Sequence, residues 1–266
     1  MKRLLLYIIA VCCPLAVAAQ EDGSQQQGVT FSGSIQSDML IPQSDEKIGA
    51  TKTEDFQTNT YVDLQLQSKY VDAGARLEYL EHPLPGFEKD FKGWGVPNFW
   101  VHGRIEGEGR SVGIDLGTLY EQFGSGFILR TYEERSLGID NSILGGRVVL
   151  KMFPGVTVKA LTGVQRRYWK WDGGLVTGAD AEFNLDKWFP SLQNHDMQLT
   201  VGGSWVNKYE EDEDIFADPT HRYNLPKYVN AWDVRVNMNK GPWGMLVEYA
   251  RKSQDPSFDN QYKIGR

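Results

Sequence analysis

The stretch WDVRVNMNKGPWGMLVEY, Trp232 to Tyr249, decides how the chain is read. Trp232, Val234, Val236 and Met238 alternate with Asp233, Arg235 and Asn237. Asn239 to Pro242 supplies turn residues, and Trp243, Met245, Val247 and Tyr249 then resume the alternation, opposite Glu248. A period of two is the signature of a strand with two unlike faces. Two such strands around a tight turn predict a β-hairpin with one apolar face and one charged face.

The same pattern recurs along the chain. Val29, Phe31, Ile35 and Met39 oppose Ser32, Ser34, Gln36 and Asp38. Val62, Leu64 and Leu66 oppose Asp63, Gln65 and Gln67, and Ala75, Leu77 and Tyr79 oppose Arg76 and Glu78. Phe99, Val101 and Ile105 oppose His102, Arg104 and Glu106, while Val112, Ile114 and Leu116 enclose Asp115. Val148, Leu150 and Met152 alternate with Arg147 and Lys151, and after Pro154-Gly155 the residues Val156, Val158 and Ala160 oppose Lys159. Ala179, Ala181 and Phe183 oppose Asp180 and Glu182, and Leu199, Val201 and Trp205 oppose Thr200 and Ser204. This makes about eleven strands, with Tyr262–Arg266 expected to open another.

The connections alternate in length. Tight turns are expected near Val71-Asp72, Gly107–Arg110, Phe153–Gly155 and Asn239–Pro242, and long loops near 41–59, 82–97, 119–146 and 208–229. The connection around 186–195 is longer than the other turns of its class. Short turns at one end and long loops at the other are the habit of outer-membrane barrels, whose strands cross with ~9–11 residues. Every apolar face above is free of charge. Aromatics gather near strand ends, with Tyr61, Tyr79, Tyr168 and Trp169 on one side and Phe153, Trp188, Phe189 and Trp243 on the other, as interfacial girdles would. A soluble secreted β-sandwich would show the same alternation with its apolar face turned inward. Parity alone does not separate the two.

The ends and composition narrow the class. Lys2 and Arg3, the apolar run Leu4–Val11 and the small residues Val17-Ala18-Ala19 read as a cleaved secretory signal over residues 1–19. A lipoprotein anchor at Cys12 would need a small preceding residue, and Val11 stands there. Residues 20–28 read as a flexible mature N-terminus, and 29–266 as the N-terminal part of one antiparallel, up-and-down barrel domain that continues beyond the chain end. Both cysteines fall in the signal, so the expected mature chain has no disulfide. The net charge is −7, without a basic block, which argues against nucleic acid as a partner. The expected location is the outer membrane, with its lipid, and other envelope proteins, as partners.

One segment interrupts the pattern: LYEQFGSGFILRTYEERSLGIDNS, Leu119 to Ser142. Thr131 as N-cap, Glu134 three positions on and Gly138 as a stop predict a short helix. Tyr120, Glu121, Arg130, Glu133, Glu134, Arg135 and Asp140 make it rich in polar and charged groups. Three readings stand side by side: an outer loop folded on itself, a docking surface, or a loop folded inward as a constriction or plug. In the third, its charges would meet interior residues drawn from Arg76, Glu78, His102, Arg104, Glu106, Asp115, Lys159, Asp180, Glu182, Asp233 and Arg235. The Gly-Ser-Gly within it lacks the lysine-plus-hydroxyl pair of a phosphate loop.

The segment GTLYEQFGSGFILRTYEERSLGIDNSILGGR, Gly117 to Arg147, resembles that of Bacteroidota outer-membrane β-barrel proteins of uncharacterised function. The resemblance implies an envelope protein, a barrel longer than this chain and no established activity. It transfers no catalytic residue.

Other motifs carry less. Asp212, Asp214 and Asp218 offer oxygen ligands for a cation, without the glycine and closing glutamate of a calcium loop. Arg166–Gly174 mixes cations and aromatics, as an interfacial segment would. His82, His102, His195 and His221 do not cluster, and no serine is spaced to pair with one, so neither an enzyme nor a cofactor is expected. The functional expectation is a pore for small solutes or a non-conducting barrel that anchors an envelope assembly.

Overall fold

The hairpin forms where its alternation places it. Tyr228–Lys240 pairs antiparallel with Trp243–Lys252, with Val236 opposite Val247 and Arg235 opposite Glu248. The structure, a computed structural model, describes residues 28–52, 54–87, 92–167, 169–211, 216–218, 221–222 and 226–253, the two short strands at 216–218 and 221–222 by their backbone only. The expected signal, Tyr168, Asp212, Asp214, the side chains of Asp218 and His221, and Tyr262–Arg266 lie outside the described residues.

In chain order the strands are β1 (Thr30–Leu40), β2 (Gln57–Gln67), β3 (Val71–Glu81), β4 (Gly93–Gly107), β5 (Arg110–Leu119), β6 (Glu133–Glu134), β7 (Ile139–Asp140), β8 (Ile143–Phe153), β9 (Val156–Gln165), β10 (Leu175–Asn184), β11 (Met197–Tyr209), β12 (Phe216–Asp218), β13 (His221–Arg222), β14 (Tyr228–Lys240) and β15 (Trp243–Lys252). Eleven of them form one sheet in the order β1-β2-β3-β4-β5-β8-β9-β10-β11-β14-β15. β6 with β7, and β12 with β13, form separate two-stranded ladders within long loops. The fold is therefore all-β and antiparallel, an up-and-down meander, with β1 and β15 as its edges.

The described residues divide into two compact units, one up to Gly103 and one from Arg104. In the first, β2 and β3 pair with Asp63 opposite Arg76 and Val62 opposite Leu77. The β3–β4 register shifts between Arg76 and Glu78. Pro97 sits in β4 at that shift, where a residue without an N–H is tolerated. Tyr61 and Leu80 are buried there. Tyr61 faces the charged side, opposite Glu78. Its parity, set by Asp63, removes it from the aromatic girdle the sequence suggested.

The second unit holds the hydrophobic cluster, Phe123, Leu129, Ile143, Leu161, Val176 and Val206, with Ile128 packed against it. These side chains do not lie on the alternating apolar face. Ile143 shares its parity in β8 with Arg147, and Val176 shares its parity in β10 with Asp180. They form an apolar island on the charged face, and it seats the segment 120–142.

Burial across the sheet is inverted relative to a soluble sandwich. On the charged face Asp180 and Asp233 are 2% exposed and Arg235 5%, whereas on the apolar face Ile35 is 70% exposed, Val234 53% and Val247 56%. Trp243, Phe153, Phe189 and Trp188 are exposed near strand ends. Tight turns join β2 to β3, β4 to β5, β8 to β9 and β14 to β15, and long connections join β1 to β2, β3 to β4, β5 to β8 and β11 to β14. The long turn between β10 and β11 carries a 3₁₀ turn, Leu185–Lys187, and one α-helical turn, Pro190–Asn194.

Candidate functional site

The charged face beneath the segment 120–142 is the most organised polar region of the second unit. Its first part is a chain of ion pairs. Arg147 on β8 donates to Asp115 on β5 at 2.6 Å and to Glu121 of the loop at 2.6 Å. Lys159 on β9 donates to the other oxygen of Glu121 at 3.0 Å. Glu121 is buried, so one loop carboxylate, itself out of water, ties down two half-buried strand cations. The Glu121 carboxylate also accepts from the Gln122 backbone N–H at 3.0 Å, which orients it.

The second part centres on Arg235. Its guanidinium donates to Asp233 at 2.9 Å, to Glu182 at 2.9 Å, to Ser204 Oγ at 2.6 Å and, most closely, to Asp180. Ser204 in turn donates to Asp180 at 2.8 Å. The β-register explains the convergence: Asp180 lies opposite Ser204, and Ser204 opposite Asp233, across β10, β11 and β14. Asp180 Oδ2 and Asp233 Oδ2 are buried without a hydrogen-bond partner. Such orphaned acceptors are uncommon inside proteins.

The loop closes over both parts. Phe123 is fully buried in the island, and a Cβ at Gly178 would come within 2.8 Å of its ring. Gly124 has φ +52 and lies against Arg235, where a Cβ would fall 2.6 Å from the guanidinium carbon. Only glycine fits both the left-handed backbone and this approach. The loop's neck is held by Thr131, which accepts from the Glu121 N–H at 2.8 Å, while the Thr131 N–H donates to the Glu121 carbonyl at 2.8 Å.

This pairing corrects one expectation. Thr131 is not a helix N-cap, because its hydroxyl is used across the loop. A single 3₁₀ turn, Arg135–Leu137, begins after Glu134, whose carboxylate accepts from the Ser136 N–H, and it stops at Gly138. The Ser136 hydroxyl and N–H hold the Glu134 carboxyl below the ordinary range. β6 and β7 flank that turn as a short ladder.

The other loop residues named from the sequence are distributed as follows. Asp140 accepts from Tyr120 Oη at 3.0 Å and pairs with buried Arg166. Arg135 pairs with Glu133 at 3.2 Å, within the loop. Arg130 lies over the Tyr132 ring at 5.0 Å and is exposed, outside the ion-pair chain. In the first unit, Arg76 pairs with Asp63 at 2.6 Å and approaches Glu78 at 3.8 Å, and His102 stacks on Trp100 at 4.3 Å. Arg104 and Glu106 are exposed near the β4–β5 turn. The sequence-derived set missed Arg147, Arg166 and Ser204. Arg147 and Ser204 were already on the charged face by alternation, and Arg166 lay in the cation-and-aromatic stretch Arg166–Gly174.

Among the described residues, no group of three or more His, Cys, Asp or Glu side chains is arranged to hold a metal ion. No helix among them is long and apolar enough to cross a membrane, which says nothing of strands.

The chain belongs to a family of unknown function (DUF6029), whose model matches residues 1–266. No curated protein matches it.

Proposed function

We propose that the protein is an integral outer-membrane β-barrel, exported through a cleaved signal, whose charged interior is narrowed by the inward-folded segment 120–142 and passes small solutes. On this reading it is not an enzyme. The observation that carries the proposal is the inverted burial. A large exposed apolar surface is a liability for a soluble monomer, and hydrocarbon satisfies it. The buried charges then face an interior, where paired ions and water are both accommodated. The loop seated on that face matches the way loops constrict or plug barrels. Edge strands cannot sit unpaired in lipid. The reading therefore requires the edges of β1 and β15 to be paired in the membrane.

A non-conducting barrel that anchors an envelope assembly is the second reading. One observation favours it: Arg147, Lys159 and Arg235 are each committed to carboxylates rather than left to line water.

Single-channel recording of the refolded protein in a planar bilayer tests the proposal. Discrete conductance steps are expected, and replacing Glu121–Gly138 by a short Gly-Ser linker should enlarge them or make them noisier. A silent bilayer, from protein shown to be folded and inserted, would overturn the pore and favour the anchor.

A further inference from the structure

A cleft of about 570 Å³ opens beside the seat of the loop, within the second unit. That volume lies inside the usual range of small-molecule sites. Ile143, Val176, Val206 and Val229 line it from the sheet, and Ile128 and Leu129 from the loop. Leu129, Ile143, Val176 and Val206 also belong to the core cluster, so the cleft exposes a continuation of the core that the loop itself does not fill.

Its remaining wall is strongly cationic. Among the described residues, Arg130, Lys208, Lys227, Arg251 and Lys252 line it, with one carboxylate, Glu210, which pairs with Lys208 at 3.2 Å. Apolar side chains and a one-signed wall in the same cleft select a ligand with two unlike ends. A bare phosphate would leave the apolar side chains uncovered. A neutral or cationic amphiphile would gain nothing from the positively charged wall. A sugar would find one aromatic side chain in the lining, Phe127.

We propose that this cleft binds a free long-chain fatty acid, its carboxylate at the cationic wall and its chain along Val176, Val206 and Val229. The inference does not depend on whether the barrel conducts. Conduction and binding are read separately, and either can fail alone.

The test is isothermal titration of dodecanoate into the full chain held in phosphatidylcholine nanodiscs, with protein-free nanodiscs as the blank. One saturable site is expected. Each buried methylene strengthens binding about four-fold, so octanoate should bind at least ten-fold more weakly. Dodecanol should show no saturable site, and the double variant Lys208→Glu, Lys227→Glu should weaken dodecanoate at least ten-fold. Val206→Trp should fill the cleft and abolish binding. Val229→Trp, outside the core cluster, serves the same purpose if the first variant does not fold. Equal binding of dodecanol and dodecanoate, or unchanged binding in a folded tryptophan variant, would overturn the proposal. So would displacement of dodecanoate by anionic phospholipid placed in the disc, which would make the occupant a membrane lipid.

Discussion

Arg235 and Phe123 bear most of what the charged face does, and for opposite reasons. Arg235 is a cation set among Asp180, Glu182 and Asp233, all brought to it by strand register. Removing one member of a buried ion network leaves the others uncompensated, which typically costs about 3–5 kcal/mol. Arg235→Ala should therefore lower resistance to urea unfolding by an amount of that order. Adding Asp233→Asn should recover part of the loss, because it removes one stranded charge, and the double-variant cycle reads that coupling directly. Phe123 works through packing. Gly178→Val would drive a side chain into the space of its ring, and Phe123→Ala would empty the seat. Both should release the segment 120–142, seen as new proteolytic cleavage between Tyr120 and Ser142 with the strands still protected. Unchanged cleavage in both variants would mean that the loop is held by Glu121 and Thr131 alone.

The strands and the loop differ in how far local sequence determines them. Alternation marked the eleven sheet strands, because each side chain's face follows from parity and from nothing remote. The turn at Gly241-Pro242 and the long loop after Leu119 were legible for the same reason: their residues break the period locally. The loop's destination was not. Glu121 meets Lys159 across 38 residues, and Arg235 meets Asp180 across 55. No spacing rule covers such pairs; only the register of the intervening strands brings them together. Thr131 illustrates a local rule overridden. Its position before Glu134 fits a capping box, but the backbone N–H it satisfies belongs to Glu121, ten positions away. The apolar island was hidden by the alternation itself. Ile143, Leu161, Val176 and Val206 sit in the charged register, and they read as exceptions until Phe123 is seen to cover them.

For the molecule as a unit, the question parity left open is which face meets which solvent. The burial pattern gives one face to water-excluded charges and leaves the other apolar and exposed. On the proposed reading, a bilayer covers the exposed apolar face. Val236 and Asn237 are adjacent on β14 and point to opposite faces at nearly the same depth, both exposed. The sequence's two cysteines, Cys12 and Cys13, lie in the expected signal, so single cysteines can be introduced cleanly into the mature chain. The most direct measurement is fluorescence quenching of a label at Val236→Cys or Asn237→Cys, in protein reconstituted into vesicles, by brominated lipid acyl chains and by aqueous iodide. Strong quenching of the label at 236 by brominated lipid, with the label at 237 reached only by iodide or by neither, is the expected result. Equal quenching of both labels by iodide and of neither by lipid would mean that the apolar face does not meet hydrocarbon, and the barrel reading would fall.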